Sequence, residues 1–419
     1  MVKVYDIMIY DFIIIGSGVG GSSLFKELNI KYPNKKILLI EKGDKPEYVE
    51  EGNELQILYL NGLGGSSMYS VGNAIRIDLK NIGINNKNQN KLYDEIEKEL
   101  SVNTAPLDYI DNTSKNIMEK YGFKKTPKYI NFSKCTKCGN CTSMLCNAKW
   151  TPLNYLKEYR NNNLQKTSSF EPTQIFNSKI INNCEVIGIK KDKSQEIFLI
   201  DTVIDNGDKT IRKTIKGKTT IVSAGGINSP RILSNTLQNE HLGKNLFVDM
   251  FITIGGILKD ANLRSSIPMT IYNQYNNDII ISPHYSKLLY DNIKNDGIKN
   301  LKDNDIYGLM IKIKDENNGI VEKDHAYKEI TENDKKLLSK GSEIASNILE
   351  DVGINKTYTT IIRGSHPSGT CAIGKVVNKD LETEIPNLFV CDSSVFPEPL
   401  GAPPILGIIA ISKNLANQL

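Results

Sequence analysis

The first chemical feature of this chain is a cluster of cysteines whose spacing could bind a metal. Four of its seven cysteines form a C-x-x-C-x-x-C-x-x-x-x-C pattern: Cys135, Cys138, Cys141 and Cys146. Successive C-x-x-C steps can wrap thiolates around one iron–sulfur cluster, with the last cysteine completing the ligand set. A structural zinc site usually separates two such pairs by a longer loop. The spacing favours iron–sulfur, and zinc and unmetallated thiols stay open as alternatives.

A glycine-rich loop near the N-terminus has the chemistry of a phosphate cradle. Gly16, Gly18 and Gly21 stand in G-x-G-x-x-G spacing directly after the apolar run at residues 12–15. That run predicts a buried strand, and residues 24–30 can continue as a helix. In this context the glycines allow a tight turn, close backbone approach to a pyrophosphate, and helix–strand packing. The helix N-terminus would then face the phosphates.

A second predicted strand, residues 36–40, ends at Glu41, twenty residues after Gly21. This is where a carboxylate can accept the hydroxyls of an adenosine ribose. A glycine-rich turn in an α/β domain without a nucleotide is the alternative. The combination of strand, glycines, helix and acid favours a Rossmann-like dinucleotide site.

Two later segments also have a buried strand followed by glycines or an acid, and a third region has the pattern of an antiparallel sheet. Residues 219–233 again read as strand, glycines and helix, and residues 388–391 as a buried strand followed by Asp392. Residues 242–362 instead alternate as antiparallel strands do, and residues 331–352 predict a long capped helix. The predicted fold class is therefore α/β, with a discontinuous nucleotide-binding domain and an α+β second domain built on an antiparallel sheet.

Composition excludes several functional classes. The 419 residues carry a net charge of only +4, and no aromatic-interleaved basic patch suggests nucleic acid. No apolar run reaches the length of a membrane span. The N-terminus does not resemble a signal peptide, and clustered cysteines suit a reducing compartment. We therefore expect a cytoplasmic protein.

Taken together, the motifs resemble the FAD-dependent glucose–methanol–choline (GMC) oxidoreductases. The resemblance includes the first glycine motif with Glu41, the Gly64-Gly65-Ser66-Ser67 loop, and the Ala224-Gly225-Gly226 segment. Two C-terminal motifs are the most specific: His366-Pro-Ser-Gly-Thr-Cys371 and Val390-Cys-Asp-Ser-Ser-Val-Phe-Pro397. The resemblance implies an FAD-binding domain over residues 1–76, 130–240 and 363–419, with the cysteine loop at 134–150. A substrate-binding domain would comprise residues 77–129 and 241–362.

Carried over residue by residue, the resemblance also implies site roles. His366 would face the flavin and handle the hydroxyl proton, as an imidazole can near neutral pH. The cofactor would be held by Gly16, Ser17, Gly18, Gly21, Glu41, Gly64, Gly65, Ser66, Val186, Ala224, Asp392 and Pro404. The family usually has a second His or Asn in its C-terminal loop, where this chain has Pro403. The general base would then be His366 alone or a residue such as His284 or Tyr285.

These features predict an FAD-dependent dehydrogenase that oxidises a CH–OH group of a small molecule. With an iron–sulfur cluster, electrons would leave to a ferredoxin-like protein or a quinone-like acceptor. The missing second His or Asn suggests an alternative, a flavin-dependent reductase of a C=C bond. A third hypothesis is a non-catalytic electron-transfer flavoprotein subunit.

Overall fold

The structure, a computed structural model, describes residues 8–82, 89–164, 177–205, 207 and 209–419. Within these ranges the helices, numbered in chain order, are α1 (Val19–Lys31), α2 (Gln89–Glu99), α3 (Asn112–Tyr121), α4 (Leu153–Leu164), α5 (Gly225–Leu233), α6 (Lys287–Asn295), α7 (Glu332–Asp351) and α8 (Ile405–Gln418). None of these described helices combines the length and apolarity needed to cross a membrane.

The first sheet has a parallel core with an antiparallel extension. Strands are numbered β1 to β21 in chain order, and this sheet contains β1 (Ile9–Ile15), β2 (Ile37–Ile40), β8 (Lys179–Ile181), β9 (Cys184–Asp192), β10 (Ile197–Asp205), β11 (Thr210–Val222) and β21 (Leu388–Val390). The strand order is β8-β2-β1-β11-β10-β9, with β21 beside β11. The pairs among β8, β2, β1, β11 and β21 are parallel, whereas β9, β10 and β11 pair antiparallel.

The carboxyl ends of three parallel strands meet at one edge of this sheet. Ile15 of β1 is in register with Ile40 of β2 and Val222 of β11. The residues that follow these three therefore emerge side by side, which is where open α/β sheets bind ligands. Strands β1 and β2 are apolar along nearly their whole length because both faces of a parallel sheet are covered.

The second sheet is largely antiparallel. Its strands are β3 (Glu47–Glu51), β4 (Gln56–Asn61), β6 (Lys124–Lys125), β13 (Met250–Ile257), β14 (Ile271–Tyr275), β15 (Ile279–Pro283), β16 (Ile306–Ile313), β19 (Tyr358–Thr359) and β20 (Arg363–Gly364). The order is β3-β4-β20-β13-β16-β15-β14-β6, with β19 beside β13. Two small sheets complete the described strands: β5 (Asn103–Thr104) with β7 (Pro127–Lys128), and β12 (Lys244–Leu246), β17 (Gly319–Val321) and β18 (Ala326–Tyr327).

Helix α7 covers one face of the second sheet. Gly341 of α7 lies so close to Ile311 of β16 that an added Cβ would approach the Ile311 side chain to 2.3 Å. Because strand side chains alternate, Met310 and Lys312 face the opposite side of the sheet. The helix begins at a capping box in which Thr331 and Asp334 bond each other's backbone N–H groups. The predicted capped helix is confirmed.

The predicted fold class is confirmed. Two segments predicted to belong to the FAD-binding domain pair with the second sheet: β3 and β4, within residues 1–76, and β20, within residues 363–419. Strand β4 lies beside β20, more than three hundred residues later in the chain. That pairing is between distant segments, so local patterns in the sequence do not reveal it.

Candidate active site

One large cavity is lined by residues of both sheets. Its volume is about 1040 Å³, at the upper end of the range for ligand sites. The first sheet contributes Ser17, Glu41 and Val186 to its wall, and the second contributes Phe251 and Lys312. The cavity therefore brings the predicted nucleotide loop and the predicted substrate domain to the same space.

At the nucleotide end, hydrogen bonds join three segments that are far apart in sequence. Glu41 Oε2 accepts from the backbone N of Ser17 at 2.9 Å and from its Oγ at 2.6 Å. The backbone N of Gly64 donates to Ser17 Oγ at 3.0 Å. The first glycine loop, the end of β2 and the Gly64 loop are thereby held in one arrangement around the cavity.

The N-terminus of α1 opens into this end of the cavity. Gly18 is its N-cap residue, no side chain among the described residues caps the helix, and its first turn holds no acid. A Cβ added to Gly18 would have no described atom within 4 Å. Uncapped N–H groups and the positive helix end bind anions. This open cradle fits the pyrophosphate of a dinucleotide.

Most of the predicted cofactor residues lie on the cavity wall: Gly16, Ser17, Gly18, Glu41, Gly65, Ser66, Val186, Ala224, Asp392 and Pro404. Gly21 and Gly64 do not line the described cavity, and the cofactor roles implied for them stay predictions. A Cβ on Gly21 would lie 1.9 Å from the carbonyl oxygen of Gly16. Gly21 therefore serves helix–strand packing. Gly64 has a φ of +89° and packs on Met68.

Asp392 holds the β11–α5 connection at the cavity wall. Its carboxylate accepts from the backbone N of Gly225 at 2.8 Å, from Ser229 Oγ at 2.6 Å and from the backbone N of Ser394 at 2.7 Å. In the next turn, Gly226 lies directly under Pro367, because an added Cβ would be 2.1 Å from the Pro367 carbonyl oxygen. These contacts place the segment that carries His366 against the start of α5.

His366 lies on the cavity wall in contact with two buried charged residues. Its Nδ1 is 2.9 Å from Asp249 Oδ2 and 2.6 Å from Lys312 Nζ, and Lys312 Nζ is 3.0 Å from the same Asp249 oxygen. Nδ1 either accepts from the Lys312 ammonium, which puts the ring proton on Nε2, or carries the proton itself and donates it to Asp249 Oδ2. Only in the second tautomer does the imidazole Nε2 keep the lone pair that a general base requires.

The charges in this cluster set the protonation of its members. Burial lowers the pKa of His366 below 6.5, the Lys312 charge lowers it further, and the bond to Asp249 partly opposes both. Burial works to raise the pKa of Asp249, but Lys312 and His366 outweigh it and hold that pKa below its usual value. At neutral pH the cluster therefore contains a neutral imidazole beside an ionised carboxylate.

Asp249 is itself held by a second buried carboxylate. Asp249 has a φ of 54°, and its neighbours Val248 and Met250 both donate backbone N–H groups to Asp315, at 3.1 and 3.3 Å. Lys328 Nζ lies 3.5 Å from Asp315, and neither side chain is exposed. Asp315 thus fixes the backbone on both sides of the residue that orients His366.

His366 was predicted from the sequence, but Lys312 and Asp249 were not. Lys312 could have been noticed as a charged residue inside the apolar strand β16, whereas Asp249 has no local signal. Pro403, which stands where the family usually has a second His or Asn, does line the cavity. Lys312, on the second sheet, contacts His366 Nδ1 and Asp249.

His284 also lines the cavity, at a different position. Its Nδ1 is 3.0 Å from Thr253 Oγ1. Burial and the nearby charge of Arg363 lower the pKa of His284 to about 4. This imidazole is therefore neutral throughout the physiological range and can take part in hydrogen bonds to a bound molecule.

The cysteine loop borders the cavity without forming a ready metal site. Cys141 is buried, Cys135 and Cys146 are partly buried and Cys138 is exposed. Within the described residues, no group of three or more His, Cys, Asp or Glu side chains is placed to hold a metal. Burial raises the pKa of the Cys141 thiol to about 11. The predicted iron–sulfur ligand set is thus not supported by the arrangement of these side chains.

Two buried lysines lie beneath this loop. Lys149 donates to the carbonyl oxygens of Met68, Ser70 and Cys141, at 2.9, 2.8 and 2.7 Å. Lys128 donates to Asn73 Oδ1 at 2.6 Å. Burial lowers the pKa of Lys128 to about 7 and that of Lys149 to about 8. In the part of the chain that the structure describes, neither ammonium pairs with a carboxylate.

Comparison with known proteins identifies the family. Residues 10–251 and 314–412 match the two sequence models described as GMC oxidoreductase. The chain belongs to the GMC oxidoreductase family. Membership makes it an FAD-dependent oxidoreductase that acts on CH–OH donors, and the open cradle at Gly18 fits that cofactor.

Similar proteins include one sequence relative and two solved structures. The uncharacterized protein MJ1450 of Methanocaldococcus jannaschii is 44% identical over 98% of this GMC oxidoreductase and 100% of its own length. Pyridoxine 4-oxidase from Mesorbium loti has a TM-score of 0.73 at 14% identity, over 98% of this chain and 99% of its own. A formate oxidase from Aspergillus oryzae RIB40 has a TM-score of 0.71 at 12% identity, over 99% and 98%. At these identities the solved structures show the fold alone.

The charges around His366 predict opposite pH effects for two variants of this GMC oxidoreductase. If neutral His366 is the base, flavin reduction is lost as pH falls below the His366 pKa. Lys312→Met removes a charge that lowers this pKa, so the acid limb of the rate profile should move to higher pH. Asp249→Asn removes a charge that raises it, so the limb should move to lower pH. Rates of anaerobic flavin reduction measured across pH test this, and shifts in the same direction would contradict it.

Proposed function

We propose that this chain oxidises a CH–OH group of a small molecule by hydride transfer to FAD, with His366 as the base. The observation that carries the proposal is the Asp249–His366–Lys312 cluster in the same cavity as the glycine cradle. When bound, FAD accepts the hydride, which contains both electrons, from the carbon. The hydroxyl proton goes to His366 Nε2, and the C–OH group becomes a carbonyl.

The residues that would hold FAD are those on the cavity wall. The N–H groups at the start of α1 and the backbone of Gly16, Ser17 and Gly18 would bind the pyrophosphate. Glu41 would accept from the adenosine ribose, and Val186 would lie near the adenine. Gly65 and Ser66 would lie on the flavin side, and Asp392 near the ribityl chain. Ala224 and Pro404 would contribute to the wall around the cofactor.

The chain's own side chains would prepare the substrate for the reaction. Asp249 would hold the imidazole so that Nε2 faces the hydroxyl group and would stabilise the imidazolium after proton transfer. Lys312 would keep the pKa of His366 low, so that the base is free of its proton at neutral pH. The buried wall would exclude water and strengthen these electrostatic contacts.

The same cluster distinguishes this proposal from the two alternatives. An electron-transfer subunit without a substrate would not need a histidine held by two buried charges at the cavity wall. A C=C reductase was suggested by the missing second His or Asn. That reaction needs a proton donor, whereas a neutral imidazole beside an ionised carboxylate suits a base that takes a hydroxyl proton. Alcohol oxidation is therefore the function that the site supports best.

The experiment that tests the proposal is anaerobic mixing of FAD-loaded protein with alcohols while flavin absorbance is followed. Reduction of the flavin with formation of a matching carbonyl product is the expected result. Steady reduction of an activated alkene together with inertness toward every alcohol would instead favour the C=C reductase.

We propose a second role for the cysteine loop, that of an electron exit holding an iron–sulfur cluster. Thr142 of this loop lines the cavity, so the loop borders the proposed flavin site. Lys149 donates to the carbonyl oxygen of Cys141 and has no carboxylate partner in the described residues, and cluster-bound thiolates would offset its charge. The loop would have to rearrange to gather its ligands. The acceptor would be a ferredoxin-like protein or a quinone-like molecule, and the expected location is the cytoplasm.

Electron counting tests this second role. Anaerobic dithionite titration of the purified protein should consume about three electrons per FAD if a one-electron cluster is present. Cys141→Ser should lower the iron content and reduce the uptake to about two, while FAD stays bound. Cys184→Ser, at a buried cysteine outside the loop, is the matched control and should keep the third electron. Two electrons per FAD in iron-replete wild-type protein would contradict the exit role.

A further inference from the structure

The cavity face of the second sheet carries a row of side chains from neighbouring strands. The register pairs Arg363 with Phe251, and Phe251 with Lys312. Directly paired residues point to the same face of a sheet, and all three residues line the cavity. Adjacent strands lie about 4.8 Å apart, so Arg363 and Lys312 stand roughly 10 Å apart on either side of Phe251.

Arg363 is a cation on this wall whose carboxylate partner, Glu50, lies at the limit of ion-pair distance. Its Nη2 donates to the Tyr48 hydroxyl at 2.8 Å and lies 3.9 Å from Glu50 Oε1, a half-exposed side chain. Its Nε is buried and has no hydrogen-bond partner among the described residues. A guanidinium with Nε unpaired still has part of its donor fork available, and that fork matches two oxygens of a carboxylate or phosphate.

The other polar groups on this wall do not neutralise Arg363. Lys312 Nζ forms an ion pair with Asp249 at 3.0 Å, so these two side chains together contribute little net charge. The neutral His284 offers hydrogen bonds and no negative charge. Glu50, at 3.9 Å, is the carboxylate that opposes the Arg363 charge among these groups, and at that distance the guanidinium can still bind a further anion. Arg363 and the strand of Lys312 lie on opposite sides of Phe251.

We propose that the substrate bears a carboxylate or phosphate group, which binds Arg363 while its CH–OH group lies at His366. This inference rests on the proposed function and specifies its substrate class as a hydroxy acid or a phosphorylated alcohol in which a carbon chain separates the two groups. Arg363 and Lys312 lie on strands roughly 10 Å apart, and His366 contacts Lys312, so the anionic group cannot sit on the carbon next to the reacting one. Phe251 lies between these two points and can contact the carbon chain of the substrate.

Equilibrium binding tests the subsite without any reaction. The probes are acetate and inorganic phosphate, with acetamide as the neutral control, and the readout is the change they cause in the visible spectrum of bound flavin. We expect wild-type protein to bind at least one anion, and Arg363→Gln to weaken that binding at least about tenfold. Arg363→Lys should restore part of it. Arg212→Gln, at an exposed cation on β11, should leave it unchanged.

Paired donors then test the substrate class: 4-hydroxybutyrate against 1-butanol, 6-hydroxyhexanoate against 1-hexanol, and glycerol phosphate against glycerol. We expect the anionic member of at least one pair to reduce the flavin with the lower KM, and Arg363→Gln to remove that advantage while FAD stays bound. The carboxylate and phosphate pairs distinguish the two anion classes.

The outcomes separate the subsite from the proposed function. If Arg363→Gln binds the anions as tightly as wild type does, or if neutral alcohols are favoured equally by both proteins, the subsite is wrong and alcohol oxidation stands. If anions bind through Arg363 but no donor of either class reduces the flavin, the subsite stands and alcohol oxidation fails.

Discussion

Replacing His366 with glutamine is expected to slow flavin reduction by a substrate about a hundredfold or more while leaving FAD bound. General base catalysis contributes effects of this size, and the structure offers no other imidazole bonded to the Asp249–Lys312 pair within the described residues. Glutamine keeps a polar side chain near Asp249 but cannot accept the hydroxyl proton. The measurement is the single-turnover rate of anaerobic flavin reduction, with FAD content determined on the same sample.

A matched control uses the other histidine on the cavity wall. His284→Gln should affect substrate affinity more than the rate of reduction, because His284 hydrogen bonds Thr253 and lies outside the charged cluster. Dithionite should reduce the flavin of the His366→Gln variant normally, which separates a lost base from a damaged cofactor site. A His366 variant that keeps the wild-type rate would refute the assigned role and favour an electron relay.

Replacing Gly18 with valine is expected to remove most of the bound FAD without unfolding the protein. Gly18 has a φ of −60°, which an L-residue can adopt, and a Cβ there would have no described atom within 4 Å. The valine side chain would instead fill the space at the N-terminus of α1 where the pyrophosphate is proposed to bind. FAD content should fall at least about tenfold, measured by flavin absorbance after reconstitution.

Two other glycines provide controls for this variant. Gly188→Ala, on β9, should keep both fold and FAD, because its Cβ would approach Asp201 no closer than 3.8 Å. Gly21→Ala should lower the thermal stability of the cofactor-free protein, because its Cβ would lie 1.9 Å from the Gly16 carbonyl oxygen. A Gly18→Val protein with full FAD content would show that the cofactor does not bind against this helix terminus.

The nucleotide half of the site could be predicted from sequence because its signals are local. Each predicted strand is followed within a few residues by the glycine or acid that faces the cavity, as Gly16 and Glu41 show. The parallel arrangement of β1, β2 and β11 then brings those ends together without further information. Motifs that combine a strand, a turn and a helix therefore predicted the dinucleotide cofactor and the fold class, whereas the role of His366 was predicted from the resemblance to the GMC family.

The substrate half depends on contacts between segments distant in sequence. Lys312 meets His366 because β16 pairs with β13 in a register that places Lys312 opposite Phe251, and no local pattern specifies that register. Asp249 reaches its position through a φ of 54° fixed by Asp315. The pairing of β4 with β20, which joins β3 and β4 to the second sheet, is likewise between distant segments and has no local signal.

The cysteine cluster shows a different reason why a sequence pattern does not determine a site. A pattern of thiols states which residues could ligate a metal, but ligation also needs the side chains to converge. In the structure these thiols differ in burial from exposed to buried. The spacing alone could not determine that arrangement.

The central claim is that FAD bound in this cavity takes electrons from a CH–OH donor. Its most direct test is to load the protein with FAD, remove oxygen, and mix it with the anionic and neutral alcohols named above while flavin absorbance is recorded. The account predicts that FAD binds in equimolar amount and that at least one donor bleaches the flavin with formation of an equal amount of its carbonyl product. Folded protein that binds no FAD, or bound flavin that dithionite reduces but none of these donors does, would contradict it.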